Sequence, residues 1–149
     1  MKWVKQSIHY WCPDTKEHKF LGQNVTVAIL DTGISPHPDF KGRILSFRDF
    51  SNTTGSSEKV LFSFSHFSPL IDNSGHGTHV AGILAGSGLL SSGTYAGIAP
   101  FCNLIIGKVL DQNGNGSIKN VINGIQWIRD IYTQFHIRII NISVGTRPD

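Results

Sequence analysis

Apolar positions along this chain follow two periods that take turns. Asn24 to Leu30 is the first clear block, a run of Val25, Val27, Ala28, Ile29 and Leu30 interrupted only by Thr26. A β-branched run with no polar face predicts a parallel strand buried on both sides. Arg43 to Phe50 predicts a second strand, Leu104 to Leu110 a third, and the nearly all-apolar Ile137 to Ser143 a last one. Between the strands the period lengthens. His76 to Ala85 follows a Ser-Gly entry and sets Val80, Ile83 and Leu84 on one helical face. Ser117 is an N-cap for a helix that carries Val121, Ile122, Ile125, Trp127 and Ile128 inward. Strands alternating with helices predict an α/β fold: a mostly parallel sheet flanked by helices, joined by right-handed crossovers.

Two stretches lie outside that rhythm. Residues 1–22 form a polar-aromatic lead-in with room for one short helix, leaving 23–149 as the domain. Ser51 to Ser74 is rich in Ser, Asn, Thr and Phe without helical period, so it predicts a long loop of functional length.

Composition narrows the partners. With 149 residues, 40% hydrophobic and 15% charged, the chain can bury one core. The net charge of +3 comes from scattered Lys and Arg with no run, which argues against a nucleic-acid partner. No stretch approaches the roughly 18 consecutive apolar residues of a spanning helix, and the N-terminus shows no export-type apolar core. The expectation is a cytoplasmic protein with no membrane partner. Cys12 and Cys102 are then expected as free thiols.

Candidate chemistry gathers at two points. Asp31 ends the first strand, where functional groups collect in open parallel sheets, and Thr32-Gly33 turns the chain away behind it. His76 opens the first helix between Gly75 and Gly77, which allow close backbone approach and leave an imidazole edge open. His79, one turn on, packs beneath. A metal pair from His76 and His79 lacks the Glu and the third ligand of the helical zinc motif.

The ordered set is what identifies the chain. The strand ending in Asp31-Thr32-Gly33 is followed by Gly75-His76-Gly77-Thr78-His79-Val80-Ala81-Gly82. His37-Pro38-Asp39, Gly97-Ile98-Ala99-Pro100, Lys108-Val109-Leu110, Gly114-Asn115-Gly116 and Asn141-Ile142-Ser143-Val144-Gly145 complete the series. From about Gly22 onward the chain closely resembles the subtilisin-like serine proteases (subtilases), most of all their intracellular bacterial members. That resemblance implies a serine endopeptidase with Asp31 as triad carboxylate and His76 as general base, in the chain order Asp, His, Ser. It implies that Gly114, Asn115 and Gly116 on one side, and Ser143, Val144 and Gly145 on the other, clamp an extended peptide by strand addition. Ile118 and Val144 would line apolar pockets, and Asp72 and Thr32 would support the histidine. Asp39 resembles a calcium ligand of some members, though its co-ligands find no match here. No cofactor is required, and calcium is an unsupported option.

The resemblance stops before its last third. The family's Gly-Thr-Ser-Met-Ala type segment and its oxyanion asparagine are not among these residues. The expectation is the N-terminal part of a subtilase catalytic domain, inactive alone and completed by a C-terminal segment that carries the serine. The alternative is a non-catalytic relative that binds peptides or a partner. A third reading, from the aspartic-protease-like Ala28-Ile29-Leu30-Asp31-Thr32-Gly33-Ile34-Ser35, requires an all-β dimer that the two helices oppose.

Overall fold

The computed structural model describes residues 2–10, 20–51, 60–61 and 72–145. Its centre is the predicted buried strand: β1 (Thr26–Asp31) is buried at every position. β2 (Ile44–Asp49), β3 (Val60–Leu61), β4 (Asn103–Lys108) and β5 (Ile137–Ile142) complete a sheet ordered β3-β2-β4-β1-β5. The pairings of β1 with β4, β1 with β5 and β2 with β4 are parallel, and only β3 runs antiparallel. All four parallel strands therefore end at one edge of the sheet.

Alternation along the strands builds two cores. Val27, Ile29, Leu104 and Ile106 face one side and pack on Ala81 and Ala85 of α2 (His76–Ala85). Ala28, Leu30, Ile105 and Val109 face the other and pack on Trp127 and Ile128 of α3 (Ile118–Ile131). The result is a parallel sheet between helices. Ahead of it, the short α1 (Lys2–Ser7) leads into Tyr10, and Lys5 Nζ and Tyr10 OH donate to the carbonyls of Gly97 and Ile98 at 2.9 Å each.

The helices pack most of the residues expected inward, Val80 and Leu84 of α2 and Val121, Trp127 and Ile128 of α3, but their buried faces are centred off the expected phase. In α2 the buried residues are Gly77, Ala81 and Ala85, while Ile83 is exposed. In α3 they are Gly124, Trp127 and Ile128, and Ile122 and Ile125, predicted inward, face out. Small residues explain both shifts, because the helix approaches the sheet where it lacks a side chain. A Cβ at Gly124 would sit only 3.0 Å from Leu30 Cδ2. β5 also differs from a buried strand: at the sheet edge only Ile137 is buried, and Ile139, Ile140 and Ile142 are exposed. Of the predicted long loop, Val60–Leu61 pairs with Ser46 and Phe47, and positions 52–59 and 62–71 lie outside the described residues.

Cys102 is a free, fully buried thiol whose pKa burial pushes up, partly offset by the Arg43 guanidinium; Cys12 lies outside the described residues. Among the described residues no helix is long and apolar enough to cross a membrane.

Candidate active site

Asp31 is held from both directions. Its carbonyl accepts the Val109 and Leu110 N–H groups at 2.9 and 3.2 Å, which carries the β1–β4 pairing past the strand end. Its Oδ1 accepts the Thr32 N–H at 2.7 Å, so the carboxylate folds back over its own turn. The side chain is completely buried.

His76 meets it across the sheet edge. As the first residue of α2, it places Nδ1 2.7 Å from Asp31 Oδ1. An ionised carboxylate can only accept, so Nδ1 carries the proton and Nε2 is left as a lone-pair acceptor. The ring is half exposed, and its Nε2 side is the one not committed to Asp31. A base oriented by a buried acid, with one nitrogen open to a reactant, can take and return a proton.

The histidine is aimed by its helix, and the helix is held by Asp72. Gly75 occupies the cap position with φ 83° and offers no side chain to cap with. The Asp72 carboxylate does this instead: Oδ1 accepts from the Gly75 N–H (2.9 Å) and Thr32 Oγ1 (2.8 Å), and Oδ2 from the Thr78 N–H (2.8 Å) and Thr78 Oγ1 (2.5 Å). Thr32 Oγ1 in turn accepts the Gly77 N–H at 2.9 Å. One carboxylate thus ties the acid's turn to the base's helix.

Burial alone would raise the Asp72 pKa, but the Thr78, Thr32 and Gly75 hydrogen bonds outweigh it and hold it below the usual carboxylate range. A depressed folded value contributes stability above the unfolded value of about 3.9, and that contribution is lost as pH falls through the folded value. Asp72→Ala is accordingly expected to cost about 1 kcal/mol at neutral pH, typical of a lost cap, with the gap closing in acid. Urea unfolding of both proteins across that range checks this; a gap independent of pH would contradict it.

The peptide-clamp candidates lie on either side of this pair. β1 sits between β4 and β5, so Gly114, Asn115, Gly116 and Ile118 follow the strand on one flank of Asp31. Ser143, Val144 and Gly145 follow the strand on the other, and every one of these residues is exposed. The first segment is shaped by Asp111, whose Oδ1 accepts the Asn113 and Asn115 N–H groups at 2.8 and 2.9 Å. Asn141 Nδ2 donates to Ser143 Oγ at 2.9 Å.

Asp39 stands apart, at the loop after α2. Its Oδ2 accepts the Gly88 N–H at 2.9 Å and its Oδ1 the Leu90 N–H at 3.4 Å. A calcium ion there would compete with two N–H groups directed at the same oxygens, and a hard cation needs six or more oxygen ligands. Among the described residues no three His, Cys, Asp or Glu side chains gather around a common point.

Two residues at the site went unread as functional in the sequence. Thr78 bridges Asp72 to the Ser35 N–H, which its Oγ1 accepts at 2.9 Å. Lys108, at 6% exposure, is a buried cation at the end of β4. The available signal was a lone charge closing an apolar strand.

Known proteins resemble this chain in sequence and in fold. The sequence pattern of the Subtilase family matches residues 22–149. Serine protease AprX of Bacillus subtilis (strain 168) is 45% identical over 106 residues, 71% of this chain and 21% of the relative. The Major intracellular serine protease of the same organism is 38% identical over 130 residues, 86% of this chain and 36% of the relative. Among solved structures, the Clostridium perfringens CspB protease superposes with a TM-score of 0.72 at 26% identity, covering 87% of this chain and 30% of that one. Sphericase superposes with a TM-score of 0.69 at 29% identity, covering 86% and 39%. The chain therefore spans between a fifth and two fifths of the length of these relatives. With its fold, its ordered motifs and this match agreeing, the chain belongs to the subtilase family.

Proposed function

We propose that these residues supply the acid–base half of a serine endopeptidase, acting on a serine hydroxyl contributed from outside residues 1–149. The observation that carries this reading is the 2.7 Å bond between buried Asp31 and half-exposed His76. His76 Nε2 takes the serine proton as the oxygen attacks a peptide carbonyl, then gives that proton to the departing amine. Water repeats the sequence on the acyl-enzyme. Asp31 holds the ring in the Nδ1–H form and balances the imidazolium as it appears. The chemistry needs no cofactor.

The substrate is a peptide in extended form. Bracketed by 114–116 and 143–145, it would pair its backbone with both segments, while Ile118 and Val144 meet its side chains. The partner is a polypeptide segment carrying the serine. The exposed Ile139, Ile140 and Ile142 on the free edge strand give it an apolar surface to cover, one that would otherwise invite aggregation.

A fluorophosphonate probe tests the proposal. The 149-residue chain alone is expected to remain unlabelled. Mixed with the serine-bearing remainder of a subtilase, it should cause that segment to be labelled, and His76→Ala should abolish the reaction. Labelling of the chain itself, or labelling that survives the His76 change, would sink it. Peptide capture without any labelling would move the reading to a binding module.

A further inference from the structure

We infer that Lys108 is a positioning residue for the acid–base pair, a buried cation that clamps the Asp31 turn to the start of the peptide-binding segment. The inference rests on the function proposed above. Lys108 Nζ donates to the Thr32 carbonyl at 2.5 Å and to the Leu110 carbonyl at 2.9 Å. The first carbonyl belongs to the turn that presents Asp31. The second lies immediately before the Asp111–Gly116 turn. One ammonium therefore fixes two segments that must keep register: the one that aims the acid and the one that would hold substrate.

The register of the sheet explains why a lysine stands here. Asp31 and Lys108 are paired across β1 and β4. Val27 and Ile29 alternate with Asp31 on the α2 side, as Leu104 and Ile106 do with Lys108, so both charges project into the same layer beneath His76. Asp31 Oδ2 is buried there without a hydrogen-bond partner among the described residues. Lys108 forms no ion pair among them either. A buried ammonium is costly unless its protons are used, and it is retained where its charge or geometry is needed. Here the geometry is what is used: two of its protons are taken by the Thr32 and Leu110 carbonyls.

Packing alone would be served as well by an apolar chain of the same length. Lys108→Met keeps that length and removes only the ammonium. In the 149-residue chain, hydrogen exchange of the Val109 and Leu110 N–H groups, both bonded to the Asp31 carbonyl, is expected to accelerate roughly 10- to 100-fold, the worth of charge-assisted bonds. Exchange at Leu104, Ile105 and Ile106 should change far less. The His76 Nδ1 proton resonance should also be lost in this variant. Lys108→Gln, which keeps an amide donor, replaces it if the Met variant does not fold, with the same pattern at smaller amplitude. Uniform acceleration along β4, or an unaltered His76 resonance in a folded variant, overturns the inference. Failure of the proposed function reads differently: the unsubstituted chain would itself lack an Asp31-dependent His76 resonance, or the probe would label nothing on reconstitution, while the local exchange pattern stayed intact.

Discussion

His76→Ala is expected to lower kcat of the reconstituted enzyme on the order of 10⁶-fold, and Asp31→Asn roughly 10⁴-fold. These are the sizes established for the triad of subtilisin, carried over because the acid and base here stand at hydrogen-bonding distance with the acid fully buried. The ordering follows from the geometry. Without the imidazole the serine proton loses its positioned acceptor, and water is a far weaker base than the ring it would replace. With Asp31→Asn the ring remains in place, but the new amide can present a donor to Nδ1, which shifts the ring proton to Nε2 and removes the lone pair from the reacting side. The double variant should lose little more than His76→Ala alone, because the two residues act as a unit. Steady-state hydrolysis of a chromogenic peptide by the reconstituted protein measures all three. An Asp31→Asn variant that kept most of its kcat would show that the close pairing does not serve proton transfer.

The parts of this site that were legible in the sequence are those fixed by local rules. The unbroken apolar run before Asp31 could be buried only as an interior strand, and β1 is buried throughout. Ser117 reads as a cap because its hydroxyl can reach back over one turn, and its Oγ accepts the Asn120 N–H at 3.1 Å. What escaped depends on contacts distant in sequence. Ile122 and Ile125 satisfy a helical period as well as Trp127 and Ile128 do, and only the close seating of Gly124 on Leu30 decides which face turns in. Periodicity reports that a face exists, while the smallest residue on the helix selects it. Family resemblance gives Thr32 and Asp72 supporting places. That a single carboxylate caps α2 and also holds Thr32 needed coordinates, because the bond spans 40 residues. Lys108 had no local reading, since a lysine closing a strand is ordinarily a solvated end.

Alanine at Gly77 and alanine at Gly82 are expected to shift stability in opposite directions, although both glycines lie in the ten-residue α2. Helix propensity alone favours either change by about 0.5–1 kcal/mol, because alanine loses less backbone entropy on folding. At Gly82 nothing lies within reach of a new Cβ, so the propensity gain should appear in full. At Gly77 the new Cβ would overlap the Gly33 carbonyl oxygen and lie 3.1 Å from both Asp31 Oδ1 and the Gly33 nitrogen. Two of those three atoms are backbone and the third is the oxygen that holds His76, so no flexible side chain can yield. The helix must lift from the β1 turn, stretching the Gly77 N–H bond to Thr32 Oγ1 and carrying His76 with it. Overpacking of this kind costs about 1–3 kcal/mol, and a shift approaching 1 Å at the reacting groups costs on the order of 10² in rate. Thermal unfolding of the two variants reads the first effect, and kcat of the reconstituted enzyme the second. Equal stabilisation by both alanines would mean that α2 does not rest on the Asp31 turn through Gly77. The close approach, rather than the conformational freedom of glycine, is what the acid–base pair requires at this position, and a residue only one methyl larger should separate the two.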